Sequence, residues 1–345
     1  MPEVSAQPLL TIAIPTYNRS RYLRELLEEL LPQLQSLQDA GDGDAVELLI
    51  SDNAATDDTP TVTAWAENSG VPVRVLRQAT NIGPDRNFVV CFEQARGKYF
   101  YLLGDDDIIR PGGVARMVGL LRRGDFDIVF LDPLAFYKDW KAEYAPDPKA
   151  RPDAVVTRAQ DIARIINVGI TFISGYIVNR ERLLTLGSEP PAAFVDTNLV
   201  QLSWTLPLLR YHRQSAVLWE RFVMGRAMNS GGYNVADVFG ERFQTVVARL
   251  LPDRHKIRAV FANFALRRWF PNTLLELQEN ANVPLETSGT EEKLRRLFAG
   301  NPRFWLYTWP ILRLPLPAAR VYLKGLNFLN KVTDRLQKPS FKPLV

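Results

Sequence analysis

The 345 residues carry 42 Lys and Arg against 38 Asp and Glu, a formal charge of +4, with two histidines and one cysteine. Hydrophobic residues at 46% and charged residues at 23% exclude a disordered chain. Cys91, standing alone, excludes an internal disulfide framework and points to a reducing compartment, and with only His212 and His255 beside it zinc has no ligand set. The first ten residues lack a basic start followed by an apolar stretch. No run of about 18–20 apolar residues occurs either, so neither a signal peptide nor a spanning helix is expected.

Leu9–Pro15 reads as a buried strand, and Leu23, Leu26, Leu27, Leu30, Leu31 and Leu34 recur after it at helical spacing, with Ser20 placed to cap. Val46–Ser51 is a second strand, Thr59–Asn68 a helix, Val73–Leu76 a third strand and Pro84–Ala95 a helix opened by proline. Tyr99–Leu103, Pro111–Arg122 and Asp127–Leu131 continue the alternation. This order predicts an α/β fold with a mostly parallel sheet covered on both faces. Residues 133–160 read as an irregular excursion, Phe172–Val178 as a further strand before a helix at Arg180, and Phe239–Leu277 as helical.

Ligands of an open parallel sheet sit beyond the carboxyl ends of its strands. Polar residues collect there four times: Thr16, Tyr17 and Asn18; Asp52 and Asn53; Asn81 and Gly83; and Asp105, Asp106 and Asp107. Three adjacent carboxylates repel unless protons or a cation neutralise them. Oxygen donors suit Mg²⁺ or Mn²⁺, so a metal–diphosphate is the natural ligand; the alternative is that the run merely caps the helix at Pro111. Tyr17 either stacks on a nucleobase or packs across its loop. No P-loop, no G-x-G-x-x-G after the first strand and no G-x-S-x-G is present.

Five segments in register resemble glycosyltransferase family 2, whose nucleotide-sugar domain has a GT-A fold: Ile14–Arg19, Ile50–Thr59, Asn81–Asn87, Gly97–Gly113 and Phe172–Arg180. The L-L-G-D-D-D and S-D-N wording is most similar to the abequosyltransferase-like branch that builds bacterial surface polysaccharides. The resemblance covers about residues 9–215. It implies that Thr16, Tyr17, Asp52 and Asn53, with Pro15, Asn18 and Asn81, hold the nucleoside. It further implies that Asp105 contacts the ribose side and that Asp106 binds the metal, Mn²⁺ or Mg²⁺, with Asp107 supporting it. Such enzymes invert at the anomeric carbon, and Asp196 is the candidate base, unless it simply caps a helix from Thr197. Two departures stand out: Val195 precedes Asp196 where an acidic pair is usual, and Asn53 replaces a common Asp. The processive Q-x-x-R-W signature is absent, with Ala265 at the Gln place before Arg268-Trp269, which favours single-sugar addition.

The implied partners are a nucleotide-sugar donor and a saccharide or lipid-linked acceptor. Transfer to polyprenyl phosphate and a sugar-nucleotide-binding module without turnover are the competing readings. The segment Arg221–Tyr233 is either a closing arm, with Arg226 supplying charge to the diphosphate, or a surface loop. Residues 303–345 hold eight basic residues and one acid, +7, which leaves −3 for the rest. With their aromatics, and with Val321, Leu323, Leu326, Phe328, Leu329 and Val332 in an amphipathic helix, they either lie on an anionic membrane or pack on the body. The expected organisation is 1–235 GT-A domain, 236–302 helical region and 303–345 basic aromatic tail. The expected location is cytoplasmic, peripheral on the inner face of the membrane, with no nucleic-acid partner because the body is acidic.

Overall fold

Leu10–Thr16 is buried at every position, as a central strand flanked by helices on both faces must be. The structure, a computed structural model, describes residues 7–147, 149, 151–227, 229, 232–279, 288–336 and 338–344, without the side chains of 329 and 332–336. Ser230, Gly231 and the first six residues therefore lie outside the described residues, as do the side chains of Leu329 and Val332. In chain order the elements are β1 (Leu10–Thr16), α1 (Ser20–Asp39), β2 (Val46–Asp52), α2 (Thr59–Glu67), β3 (Val73–Arg77), α3 (Pro84–Gln94), β4 (Tyr99–Leu102), β5 (Ile108–Ile109) and α4 (Gly113–Arg122). They continue as β6 (Ile128–Phe130), β7 (Leu134–Phe136), α5 (Trp140–Glu143), β8 (Ala154–Val156), α6 (Ala159–Ile166), β9 (Tyr176–Asn179), α7 (Arg180–Thr185), α8 (Leu202–Arg210), β10 (Ser215–Val217) and β11 (Val223–Arg226).

The chain forms two compact units, one of residues 1–157, 170–227 and 342–345, the other of residues 158–169 and 228–341. In the first, β1 pairs in parallel with β2 and β4, and β2 with β3. Beyond β4 the expected parallel order gives way to a mixed one. β9 inserts antiparallel between β4 and β6, and β10 runs parallel to β6 but antiparallel to β8. β12 (Lys342–Pro343) completes that edge, and β5, β11 and β7 make a separate small sheet.

Three expectations change in detail. Ser20 does not cap α1 with its side chain; instead Asp57 accepts the Ser20 N–H at 2.9 Å, and also bonds the Thr59 N–H and hydroxyl at the start of α2. Ile173–Gly175 turns in 3₁₀ fashion instead of extending, and Tyr101 Oη of β4 donates to the Ser174 carbonyl at 2.9 Å. Residues 133–160 contain β7, α5 and β8, elements too short for their periodicity to be read. Cys91 is fully buried on α3, where burial pushes its thiol up to about 12.

The second unit holds α6, α9 (Phe243–Leu250), α10 (His255–Phe264), α11 (Phe270–Glu279), α12 (Thr290–Phe298), α13 (Trp309–Arg313) and α14 (Leu316–Leu336). The helical stretch expected over 239–277 is interrupted by a turn after Leu250. It also widens into π-helical turns at Ala236–Arg242 and Ala265–Trp269, and a third occupies Phe304–Thr308. The Thr308 hydroxyl donates to the Leu266 carbonyl at 2.8 Å, tying two of these wide turns together in a buried position. Phe304, Ile311, Ala319 and Leu323 of the basic aromatic segment are buried in this unit's core with Leu266, Phe270 and Leu294. Among the described residues no helix is long and apolar enough to cross a membrane.

Candidate active site

Parallel pairing brings the ends of β1 and β4 side by side. There Thr16 Oγ1 donates to Asp105 Oδ2 at 2.8 Å, and Arg19 Nη1 reaches Asp105 Oδ1 at 3.1 Å and Asp106 Oδ2 at 3.2 Å. Burial pushes the Asp105 carboxyl up to about 6, with Arg19 and Thr16 opposing the rise and Asp106 adding to it. Burial disfavours the charge on Arg19 as well, and the two carboxylates more than offset it. Gly104 makes this packing feasible, since a Cβ there would stand 2.8 Å from Asp107 Oδ2 and 3.2 Å from Asp106 Oδ1. The run does not cap α4, whose first turn follows Gly112 without a side-chain cap.

Asp107 is differently placed. Ser174 Oγ donates to its Oδ2 at 2.5 Å and accepts the Gly104 N–H at 2.8 Å, while the Arg226 N–H reaches Asp107 Oδ1 at 2.9 Å. Burial, then the neighbouring Asp106, raise the Asp107 carboxyl well above the usual range. Arg226 is not a free arm: its Nε donates to the Asp106 carbonyl at 3.2 Å, its Nη2 pairs with Glu25 at 2.7 Å, and its guanidinium packs over Phe136. Positive charge thus braces the turn from both sides, Arg19 at the carboxylates and Arg226 at the backbone.

A second bonded set joins the ends of β2 and β3. Asn53 N donates to the Thr16 carbonyl at 2.9 Å, Asn53 Nδ2 to Asn81 Oδ1 at 2.9 Å, and the Ile82 N–H to Asn53 Oδ1 at 2.9 Å. Asp52, 1% exposed, accepts the Ala55 N–H at 2.8 Å, which holds Ala54 at a left-handed φ of +61°. Asn18, at φ +51°, accepts the Thr56 N–H at 2.7 Å. Pro15 is buried in β1 and Tyr17 is 40% exposed, an open ring beside these loops. Asn87 anchors α3 beneath them, exchanging bonds of 2.6 and 3.1 Å with Ser51.

Asp196 belongs to a third set. No helix begins at Thr197; Asp196 sits in a turn at φ +69°, its side chain 84% exposed and 3.7 Å from Arg86. The turn is held from below by Asp85, a buried residue the sequence reading left without a role. Its carboxylate accepts the Asn198 N–H at 2.9 Å and bonds the amides of Asp196 and Thr197. Burial leaves Asp85 above the usual carboxylate range in spite of those bonds. Arg19 and Ser174 were likewise without assigned roles, although both lie inside the segments that carry the family resemblance.

The donor chemistry fits a hard divalent cation. Asp105 and Asp106 present oxygen atoms on one side of a turn, and Mg²⁺ or Mn²⁺ needs only one or two protein carboxylates when phosphate oxygens and water complete its shell. Among the described residues no group of three or more His, Cys, Asp or Glu is placed to hold a metal ion by itself.

Residues 11–177 match the family model for glycosyl transferase family 2. The chain is 38% identical over 108 residues to the abequosyltransferase RfbV of Salmonella typhimurium, covering 31% of each protein. It is 29% identical over 118 residues to the GalNAc(5)-diNAcBac-PP-undecaprenol beta-1,3-glucosyltransferase of Campylobacter jejuni, covering 34% of this chain and 36% of that one. These matches span about a third of the length of the curated relatives. Among solved structures, S. aureus TarS 1–349 in complex with UDP is similar at a TM-score of 0.56 and 16% identity, covering 92% of this chain and 91% of that chain. The fold is thus of the GT-A type, and residues 11–177, just under half of the chain, are similar to glycosyl transferase family 2.

Proposed function

We propose that the protein transfers a single sugar from a nucleoside-diphosphate sugar to a saccharide or lipid-linked saccharide in bacterial surface-glycan synthesis, with inversion. The observation that carries this reading is the bonded set Thr16–Asp105–Arg19–Asp106 where β1 and β4 end together. The names of the relatives support the class, and TarS has also been crystallised with UDP-GlcNAc.

In this reading Pro15, Thr16, Tyr17, Asn18, Asp52, Asn53 and Asn81 receive the nucleoside, and Asp105 faces the ribose side. Asp106 holds Mn²⁺ or Mg²⁺, and Asp107, with both oxygens already bonded, fixes the shape of the turn. When bound, the metal supplies charge neutralisation for the departing diphosphate. Arg19 at the carboxylates and Arg226 at the backbone add positive charge around the turn. Asp196 takes the proton of the acceptor hydroxyl as its oxygen bonds to the anomeric carbon. The bond to the diphosphate breaks in the same displacement, and the nucleoside diphosphate leaves with the electron pair. The protein acts at the cytoplasmic face of the membrane, with Val321, Lys324 and Phe328 of α14 exposed as a peripheral contact.

Thermal-shift titration with UDP, CDP, GDP and dTDP, with and without Mn²⁺, tests the metal role. Asp106→Ala is expected to lose the Mn²⁺-dependent shift, and an unchanged shift rejects the assignment. Asp196→Asn is expected to keep nucleotide binding while transfer falls about 10²–10⁴-fold; full activity rejects it as base.

A further inference from the structure

The turn that carries Asp196 points its backbone inward and its side chain outward. Asp196 stands at φ +69° and Asn198 at φ +60°, two left-handed residues with one between them. Glycine would occupy either place without strain, and other residues keep this conformation only where their surroundings enforce it. Thr197 shapes the turn from within: its hydroxyl donates to the Phe194 carbonyl at 2.6 Å and accepts the Leu199 N–H at 3.1 Å. The amides of Asp196, Thr197 and Asn198 then converge on the carboxylate of Asp85, the Asn198 bond measuring 2.9 Å. Successive N–H groups in such a backbone form a concavity for an anion. Asp85, 6% exposed, fills it, while the Asp196 side chain stays 84% exposed.

Asp85 lies in the first turn of α3, which is fixed on both sides of it. Before it, Asn53 Nδ2 donates to Asn81 Oδ1 at 2.9 Å and to the Gly83 carbonyl at 3.3 Å. After it, Asn87 exchanges bonds of 2.6 and 3.1 Å with Ser51. Both anchors come from the end of β2, so Asp85 passes the position of that strand end to a turn 113 residues away in the chain. The Arg86–Asp196 pair, at 3.7 Å and exposed, adds little to this hold. Bonds from three amides to a buried carboxylate add much more, because they are charge-assisted and costly to leave unmade. A rigid support of this kind matters at a reacting group, where a misplacement of about 1 Å can cost about 10²-fold in rate.

We propose that Asp85 is a positioning residue for sugar transfer: it holds the backbone of residues 196–198 so that the Asp196 carboxylate meets the acceptor hydroxyl. The inference rests on Asp196 acting as the base.

Hydrogen exchange of the full chain reads the turn without any substrate. Asp85→Asn keeps the size of the side chain but turns an acceptor into a donor, so the amides of 196–198 are expected to exchange about tenfold faster or more, with β1 and β2 unchanged. Unchanged exchange at 196–198 overturns the proposal. Nucleoside diphosphate release from UDP-, GDP-, CDP- and dTDP-linked sugars, with a bacterial membrane extract as acceptor, reads the catalytic part. Asp85→Asn is expected to lower kcat about 10–10²-fold with the donor KM within about threefold, and to add nothing in an Asp196→Asn background. An equal fall in both backgrounds overturns the role, because Asp85 then acts on the fold and not through Asp196. Failure of the base reading looks different: Asp196→Asn stays fully active while exchange at 196–198 still quickens in Asp85→Asn. Asp85→Ser, smaller and neutral, gives the same readings if the asparagine variant does not fold.

Discussion

The sheet unit and the helical unit hold charge in opposite ways. In the first, the critical groups are anions: Asp105 and Asp107 are only 4% and 3% exposed, and donors from distant parts of the chain converge on them. In the second, Arg164, Lys256, Arg267, Arg268 and Arg303 stand on half-buried or exposed helical surfaces, where Asp161 pairs with Arg164 and the Asn330 amide oxygen accepts from Arg267. A buried carboxylate is tolerated only where hydrogen-bond donors are fixed around it. An arginine keeps its charge at the surface and needs only direction. The sheet unit accordingly depends on exact loop geometry, and the helical unit on the packing beneath its surface.

Gly104→Ala should separate the two most strongly. Its Cβ would press on Asp107 Oδ2 at 2.8 Å, so transfer is expected to fall about 10²-fold, while overpacking costs about 1–3 kcal/mol in denaturant unfolding. Activity within a few-fold of wild type breaks the claim that the turn demands exact geometry. Thr308→Val removes the hydroxyl from the buried Leu266 carbonyl and is expected to destabilise the helical unit by about 1–3 kcal/mol. Hydrogen exchange should quicken between 236 and 336 with Mn²⁺-dependent nucleotide binding unchanged; equal quickening in β1 and β2 shows the units to be energetically inseparable.

The smallest effect is at Asp57, which bonds the starts of α1 and α2 together. Burial is the largest single influence and raises its pKa, but the bonds from Thr59 and Ser20 together prevail and bring it from 3.8 to about 2. A lowered carboxylate stabilises the fold fully above its unfolded value and loses that contribution as pH falls from about 3.8 towards 2. Asp57→Ala is therefore expected to cost about 1 kcal/mol at pH 7 and progressively less in that acid window. A deficit that is constant from pH 7 to pH 2 refutes the capping role.

Much of the sheet unit was legible because strands and helices of ordinary length advertise their period, and because chemistry at strand ends repeats along the chain. Thr16, Asn53, Asn81 and Asp105 fell into bonded sets for that reason. Arg19, Asp85 and Ser174 did not declare themselves, since their roles come from partners 86, 113 and 67 residues away. Ser20 looked like a cap, yet the cap came from Asp57 across a loop. In the helical unit a 3.6-residue period cannot register a widened turn, so the stretch 239–277 read as continuous helix. The aromatic segment after Arg303 read as a tail because composition reports solubility and not packing, and Phe304 proves to be fully buried.

Cys91 has a practical consequence. The chain's single thiol is fully buried and pushed up to about 12, so at neutral pH it has almost no thiolate and no access to reagents. The native protein is thereby a silent background for labelling. One cysteine introduced beside Tyr17 and another near Lys256 would accept paired spectroscopic probes without first removing any natural residue. Donor binding in the sheet unit and local opening of the helical unit could then be watched separately in an otherwise unaltered molecule.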